Sequence, residues 1–463
     1  MKLGPHLSKL TSLDHLNLLD NAITAQGAVA LAPHLGRLTG LKHLQLSANQ
    51  IGCAGAAALG PHLAFITCLE HLSLADNEIG AKGVKALGPH LACLLSLRGL
   101  DLEANFIDTE GAVALSSYLV SLTSLFVLRL TDTGISAQGA VALFPRLATL
   151  TALRSMNLSA NSVGPEGATA LIPHLISLTC VTELNLAACE FGSMGTAALA
   201  PHLTNIITLR HLLLGLNEIG TDGARALAPH LATLTCLVRL SLARNDIGAE
   251  GATALGPHLA TLTTLSHLDL SELGMCVEGA RALAPHLETL TSLRYLNVGG
   301  NKIGSEGARE MAPHIAHLAS LDHLHVDGNS IGAEGARALA PHLTSLLSLK
   351  HLGLERNEIC SEGARALGPH LGSLTSLRHL NLENSSIGSE GATSLAPHLA
   401  TLCSLQALYL RWNCIRSEGV RALGHHLSHI QFLTYLDLKY NYDIDSEVQA
   451  ELQSKLPTVW LLL

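Results

Sequence analysis

Histidine has the widest chemical reach in this 463-residue sequence, and most of its 26 copies fall into two registers. One set follows proline. Pro stands fourteen times at one spacing, from Pro5 to Pro397, and His fourteen times at the next position, from His6 to His426. The other set precedes a leucine: His15, His43 and His71 in one run, and His323, His351 and His379 in another, with His325 beside them. Imidazole titrates near neutrality, and its neutral form binds zinc or copper. A catalytic His is needed once, however, and these recur every 28 residues. No Cys or carboxylate stands at a fixed spacing to complete a tetrahedral metal site. The Pro-His set therefore reads as structural, a ring near a helix C-terminus that can reach free carbonyls and favour the negative dipole end. The second set reads as stacked ladders forming a pH-sensitive contact surface, with metal binding the lesser reading.

Other chemistry is scarce. There is no P-loop, no HExxH, no GxSxG and no dinucleotide fingerprint. Glu306, Glu334 and Glu362 recur with Arg309, Arg337 and Arg365 three residues on, which predicts i, i+3 pairs on a solvated helix face. The strongest binding signal is aromatic. Six of the fourteen Phe, Trp and Tyr residues fall between 409 and 442: Tyr409, Trp412, Phe432, Tyr435, Tyr440 and Tyr442. Arg411, Asp437 and Lys439 lie among them, and Trp, Tyr and Arg dominate binding hot spots.

What must position these residues is a repeat. The sequence superimposes on itself at a shift of 28 without insertion, and an apolar residue opens each of sixteen copies from Leu13 to Leu433, Val181 among them. The first part of a copy reads LxxLxLxxN, as at Leu41, Leu44, Leu46 and Asn49. Leucines two apart leave a strand on one face. The second part spaces its apolar residues by three and four, as at Ala336, Leu339, Leu343 and Leu346, one stripe of a helix. Strand alternating with helix demands parallel strands with helices outside them. One copy buries too little to order itself, so the copies must stack as an α/β solenoid, helices on the convex wall and strands on the concave one. The Pro inside each helix removes a hydrogen bond and predicts a kink or a tighter last turn. Asn closes the strand in twelve of the sixteen copies, and its amide can both donate to and accept from the turning backbone of its neighbours.

The pattern LxxLxLxxNxIGxxGAxAL resembles the ribonuclease-inhibitor class of leucine-rich repeat over residues 3–445. That class includes the inhibitor itself, the repeat regions of NOD-like receptors and the Ran GTPase-activating protein. The resemblance implies a curved horseshoe with 28-residue repeats that acts as a non-enzymatic protein-interaction scaffold. The partner is expected on the concave face at its C-terminal end, at Tyr409, Arg411, Trp412, Tyr435, Lys439 and Tyr440. The adjoining face carries His351, Glu355, His379 and Glu383. The competing reading for the aromatics is a plug for the last repeat. The alternative function is GTPase activation, for which Arg244 and Arg356, each just before a turn Asn, are the nearest arginines. The Pro-His in the helix departs from the family pattern.

Composition sets the remaining bounds. Apolar residues are 48% and charged residues 14%, as a continuous core requires, and the net charge of −9 with no Lys/Arg cluster speaks against nucleic acid. The ten cysteines show no CxxC or paired framework and read as small buried hydrophobes in a reducing compartment. No leader or membrane-length apolar run is visible, so the expectation is a cytoplasmic monomer without cofactor. The whole chain reads as one domain: 1–12 a partial repeat, 13–440 full repeats, and 441–463 a C-terminal cap with a polar helix from about Ser446 to Lys455 and LPTVWLLL as a closing strand. The start lies inside a helix, where Leu3, Pro5, His6 and Leu7 align with Leu31, Pro33, His34 and Leu35. Met1 is then either a short native start or an internal methionine of a longer protein. Two segments break the pattern. In 97–152, Tyr118 and Arg146 replace the His, Thr133 replaces the Asn, and Phe126 and Val127 sit at polar positions, from drift or as a small apolar contact site. In 271–278, Leu273 replaces the Asn, which predicts a less well tied turn.

Overall fold

The computed structural model describes residues 4–463, so the expected alignment of Leu3 and the reading of Met1 lie outside the described residues. Two compact units are present, residues 1–219 and 220–463. In the first, eight three-residue strands pair in parallel, from His15–Asn17 to His211–Leu213. In the second, nine strands pair in parallel, from Arg239–Ser241 to Trp460–Leu462. Register advances by 28 at each step between repeats, for example His43 beside His71 and His351 beside His379. A helix follows each strand but the closing one, and helices pack on helices in sequence order. Each unit is therefore a leucine-rich repeat solenoid with a strand wall and a helix wall. The polar helix Ser446–Lys455 and the closing strand form where expected, and the latter pairs with Tyr435–Asp437.

The leucine positions form the core between the walls. In one repeat Leu41, Leu44, Leu46 and Ile51 are all at most 2% exposed. Each such side chain contributes about 1.5–3 kcal/mol when removed from water. The strand turns inward at the Asn, and this costs backbone strain: Ala48 and Gln50 sit at φ 56° and 55°, in the left-handed region that side chains disfavour. Gly52, at φ 62°, explains the glycine of the IG motif. The Asn offsets that strain. Asn49 Nδ2 donates to the carbonyls of Leu18, Leu46 and Ser47, and its Oδ1 accepts from the Asn21 and Ile23 amides of the preceding repeat. Asn77 repeats the arrangement one step on.

Substitutes at this position keep part of the pattern. Thr133, Cys189 and Ser385 each donate to the carbonyls that the amide would reach. Leu273, buried at 1% exposure, brings neither donor nor acceptor in its side chain, although its backbone still donates to Asn301 Oδ1 at 2.9 Å.

Most of the repeat prolines sit inside twelve-residue helices, such as Pro61 in Gly52–Leu63. The tighter end is present: Phe65 and Ile66 donate to His62 and Leu63, three residues back. The Pro-His rings do a different job from the one expected. Among the described residues none of them bonds a helix carbonyl. They lie over the small residue of the preceding helix instead, so that a Cβ at Gly60 would come within 2.6 Å of the His90 ring and one at Gly256 within 2.5 Å of His286. The repeat supplies Gly or Ala there in most copies, and packing wins over capping.

Two further expectations need correction. Cys68, Cys180 and Cys236 are exposed, as are most of the cysteines. They occupy the tight turn before each strand, where most other copies carry Ser or Thr. Cys189 alone is buried, and burial pushes its thiol up to about 12. On the helix wall, Glu306 pairs with Arg281 of the preceding repeat, as Glu250 does with Arg225 and Glu390 with Arg365. Of the predicted i, i+3 pairs, Glu334–Arg337 forms, at 2.6 Å. An arginine reaches the next helix as easily as the next turn of its own.

Candidate functional site

The strand wall of the second unit presents its side chains in rows, because residues 28 apart sit side by side at about 4.8 Å. One row begins at each strand's first residue. His323, His351 and His379 stack there, with ring centroids 4.0 and 4.3 Å apart and planes within 10°. A protonated ring would repel its neighbours, and partial burial adds to this. Burial and the flanking His323 and His379 bring His351 down to about 4; burial likewise lowers His323 and His379. The ladder is therefore neutral at neutral pH. Further along the wall, Tyr295 lies 5.4 Å from His325, which pairs with Asp327 at 3.5 Å. The sequence had marked His325 and missed Asp327, whose spacing two residues on was the available signal.

A second row follows the strands. Gly328 donates to the Glu355 carbonyl, Arg356 to Glu383, Asn384 to Arg411 and Trp412 to Lys439, at 2.8–3.1 Å. Those bonds fix Glu355, Glu383, Arg411 and Lys439 side by side in that order. Burial first, then Asp327 and Glu383, hold the Glu355 carboxyl above its usual range.

The aromatic residues meet at the end of this row. Trp412 stacks on Tyr440 at 4.3 Å and 10°, with the Arg411 guanidinium 4.6 Å over the Tyr440 ring and Tyr442 edge-on to Trp412 at 6.4 Å. Trp412 and Tyr440 remain 41% and 44% exposed. Tyr409 and Tyr435 lie 5.2 Å apart, and Tyr435 meets Trp460 of the closing strand at 5.6 Å. The cluster thus has an inner part that packs on the last strand and an outer shelf open to solvent. Burial and the neighbouring Asp437 raise the Tyr435 hydroxyl. All ten residues marked from the sequence fall on this wall within consecutive repeats.

The first unit holds a different face. His15, His43 and His71 stack at 3.9 and 4.6 Å. They border a hollow of about 520 Å³ that runs past Gly99 and Asp101 to Val127 and Arg129. The sequence reading did not mark this hollow; the short Gly99 beside His71 was its one trace. In the irregular 97–152 segment, Phe126 lies between two guanidinium groups, Arg98 at 5.6 Å and Arg154 at 5.0 Å, and borders a surface hollow with the exposed Leu95.

Among the described residues, no group of three or more His, Cys, Asp or Glu is arranged to hold a metal ion. No helix there is long and apolar enough to cross a membrane. Of the two arginines weighed for GTPase activation, Arg244 is held by Glu272 at 2.9 Å, and Arg356 is exposed.

The match to a family model agrees with the repeat. The leucine-rich repeat family model matches residues 9–32, 38–60, 66–88, 205–228, 233–256, 289–312, 317–340, 373–396 and 401–424. Its matches leave out the irregular stretch 97–152. An internalin from Listeria monocytogenes is a solved structure similar to this chain, with 20% identity, a TM-score of 0.40, and coverage of 98% of this chain and 88% of the other. Among curated proteins nothing matches. With the 28-residue register, the leucine core and the family match together, the chain carries leucine-rich repeats in many copies.

Proposed function

We propose that this chain is a non-enzymatic protein-interaction module of the ribonuclease-inhibitor type, cytoplasmic and monomeric, which holds a protein partner against the concave strand wall at the C-terminal end of the array. The observation that carries the reading is the open Trp412–Tyr440 stack with Arg411 packed on it. An exposed aromatic pair backed by a guanidinium is costly to leave wet and is the composition of a binding hot spot. His351, Glu355, His379 and Glu383 extend the contact into the adjoining repeats. The twelve-residue helix and strict 28-residue spacing support the repeat type.

The test is affinity capture with the intact chain and with a Trp412→Ala/Tyr440→Ala variant, read by mass spectrometry. Both rings are surface groups, so the variant should keep the native circular dichroism. Partners bound by the intact chain should be lost, with affinity falling by about 30-fold or more, the loss of two hot-spot side chains. Partners retained at full affinity by the variant would move the site elsewhere. GTPase activation would appear in a multiple-turnover assay as acceleration lost in Arg356→Ala.

A further inference from the structure

The row through residues 355, 383, 411 and 439 carries four charged side chains in consecutive repeats. Among the described residues, the carboxylates of Glu355 and Glu383 form no ion pair or hydrogen bond. The side chains of Arg411 and Lys439 form none either, and the Arg411 Nε is buried without a partner. Nearby charges on this unit include matched ones: Asp322 takes both Arg294 and Lys350, and Arg244 takes Glu272. Asp437, next to Arg411, is occupied, accepting from the Lys439 amide at 2.9 Å. The four unmatched charges are ordered by sign, two negative and then two positive, along consecutive hydrogen-bonded repeats. Asp327 continues the negative end by one step, its Oδ2 on His325 and its Oδ1 buried without a hydrogen bond.

From this strip we infer the chemistry of the partner, an inference that rests on the protein-binding reading above: the wall takes an extended polypeptide segment that is itself divided by sign, basic side chains over Glu355 and Glu383 and acidic ones over Arg411 and Lys439. The geometry sets the spacing. Two repeat steps separate the centres of the acidic and basic pairs, about 10 Å at the strand spacing, and this matches about three residues of extended chain. The Trp412–Tyr440 shelf adjoins the basic end and offers a flat apolar face to a side chain next to the partner's carboxylates. A polyanion such as nucleic acid fits poorly, because half of the strip repels it. A polycation alone fits only the other half. A segment carrying both signs matches all four charges, and like-charge contact rejects it when the order is broken.

The experiment uses the full chain and labelled synthetic peptides in fluorescence anisotropy. A block peptide carries two lysines and two aspartates separated by one apolar residue, which sets the centres of the two pairs about three residues apart. A scrambled peptide of the same composition alternates the signs, and a third peptide carries lysines alone. The block peptide should bind about tenfold more tightly than either of the others, with affinity falling as salt rises. Glu355→Lys/Glu383→Lys and Arg411→Glu/Lys439→Glu should each abolish that preference while circular dichroism stays native. Equal binding of block and scrambled peptides overturns the inference. So does tightest binding of the lysine peptide, block-peptide affinity untouched by either reversal, or no binding at all. If the block peptide fails while Trp412→Ala/Tyr440→Ala still loses captured partners, protein binding stands and only the charge strip falls. If both fail, the site itself is wrong.

Discussion

The two strand walls share one backbone and differ in whether their polar side chains are already occupied. In the first unit Ser47 and Ser73 are bonded at 2.6 Å, Ser73 donates to Asp101, Thr131 donates to Glu103 at 2.6 Å, and Asn157 donates to the same carboxylate. The polar groups satisfy one another across repeats. In the second unit the corresponding row leaves Glu355, Glu383, Arg411 and Lys439 without such partners. The backbone cannot explain the difference, since both walls keep the same 28-residue register. It teaches that stability in this chain rests on the leucine core and the Asn turns, which are common to both units. The outward positions can be closed upon themselves or left to bind something else.

The largest effect tests the common frame. Asn77 and Asn413 are both fully buried, one in each unit, and each donates to three carbonyls while accepting from two turn amides. Changing either to Ala strands buried backbone groups and should cost about 3 kcal/mol locally. Hydrogen exchange at the amides of Asn49 and Ile51 should accelerate in Asn77→Ala. The amides of Ser385 and Ile387 should accelerate equally in Asn413→Ala. A large effect in one unit and none in the other would end the claim that the frame is shared.

A smaller effect tests the difference itself, and its sign is the point. Glu103→Gln weakens charge-assisted bonds from Thr131 and Asn157 to neutral ones, and should cost about 0.5–1 kcal/mol. Glu355→Gln removes a carboxylate that burial, Asp327 and Glu383 already disfavour. It should stabilise, by less than about 1 kcal/mol because solvent screens a half-exposed group. The sign with pH follows. A carboxyl held above its unfolded value favours the folded chain more as pH falls, so the advantage of Glu355→Gln should be largest at neutral pH and fade toward the acid side. Urea midpoints of both variants across pH 5–8 provide the measurement. Destabilisation by both would mean that the second wall is also internally satisfied.

Much of the fold is legible in the sequence, for a physical reason. The leucine spacing, the Asn turn and the closing strand at Trp460 are dictated by short-range chemistry repeated many times, so each copy supports the others. The histidine ladders followed from the same register, as did the gathering of Tyr409, Arg411, Trp412, Tyr435, Lys439 and Tyr440. What escaped was set by side-chain reach across repeats. Arg281 can choose between Glu278 on its own helix and Glu306 on the next, and sequence spacing favours neither. The Pro-His ring position depends on whether the preceding helix offers a Gly, as Gly60 does for His90. Cys68 and Cys180 are exposed because the turn aims them outward, which composition does not report.

The smallest effect separates the two histidine ladders. His43 and His351 are each the middle ring of a stack, and both are held below the usual imidazole range by burial and by their two neighbours. His43 is shallow, however, and open to solvent screening, whereas His351 is more deeply set, lies among His323, His379, His325 and Arg378, and is brought down to about 4. The unfolded His351 takes up a proton near pH 6.5, and the folded one does not until about 4. Stability contributed by the neutral ring is therefore complete above about pH 6.5 and declines as pH falls through that window. Screening of this partly exposed ring reduces the effect to about 0.5 kcal/mol. A His351→Gln variant should lose less stability than the intact chain between pH 7 and pH 4.5, while His43→Gln should track the intact chain closely. Glu355 pulls the opposite way over part of this range, so the comparison is cleanest when both His variants also carry Glu355→Gln. Were His43→Gln to flatten the pH profile as much as His351→Gln, solvent screening would not be what distinguishes the two ladders, and the second wall would have no special claim as the pH-sensitive one.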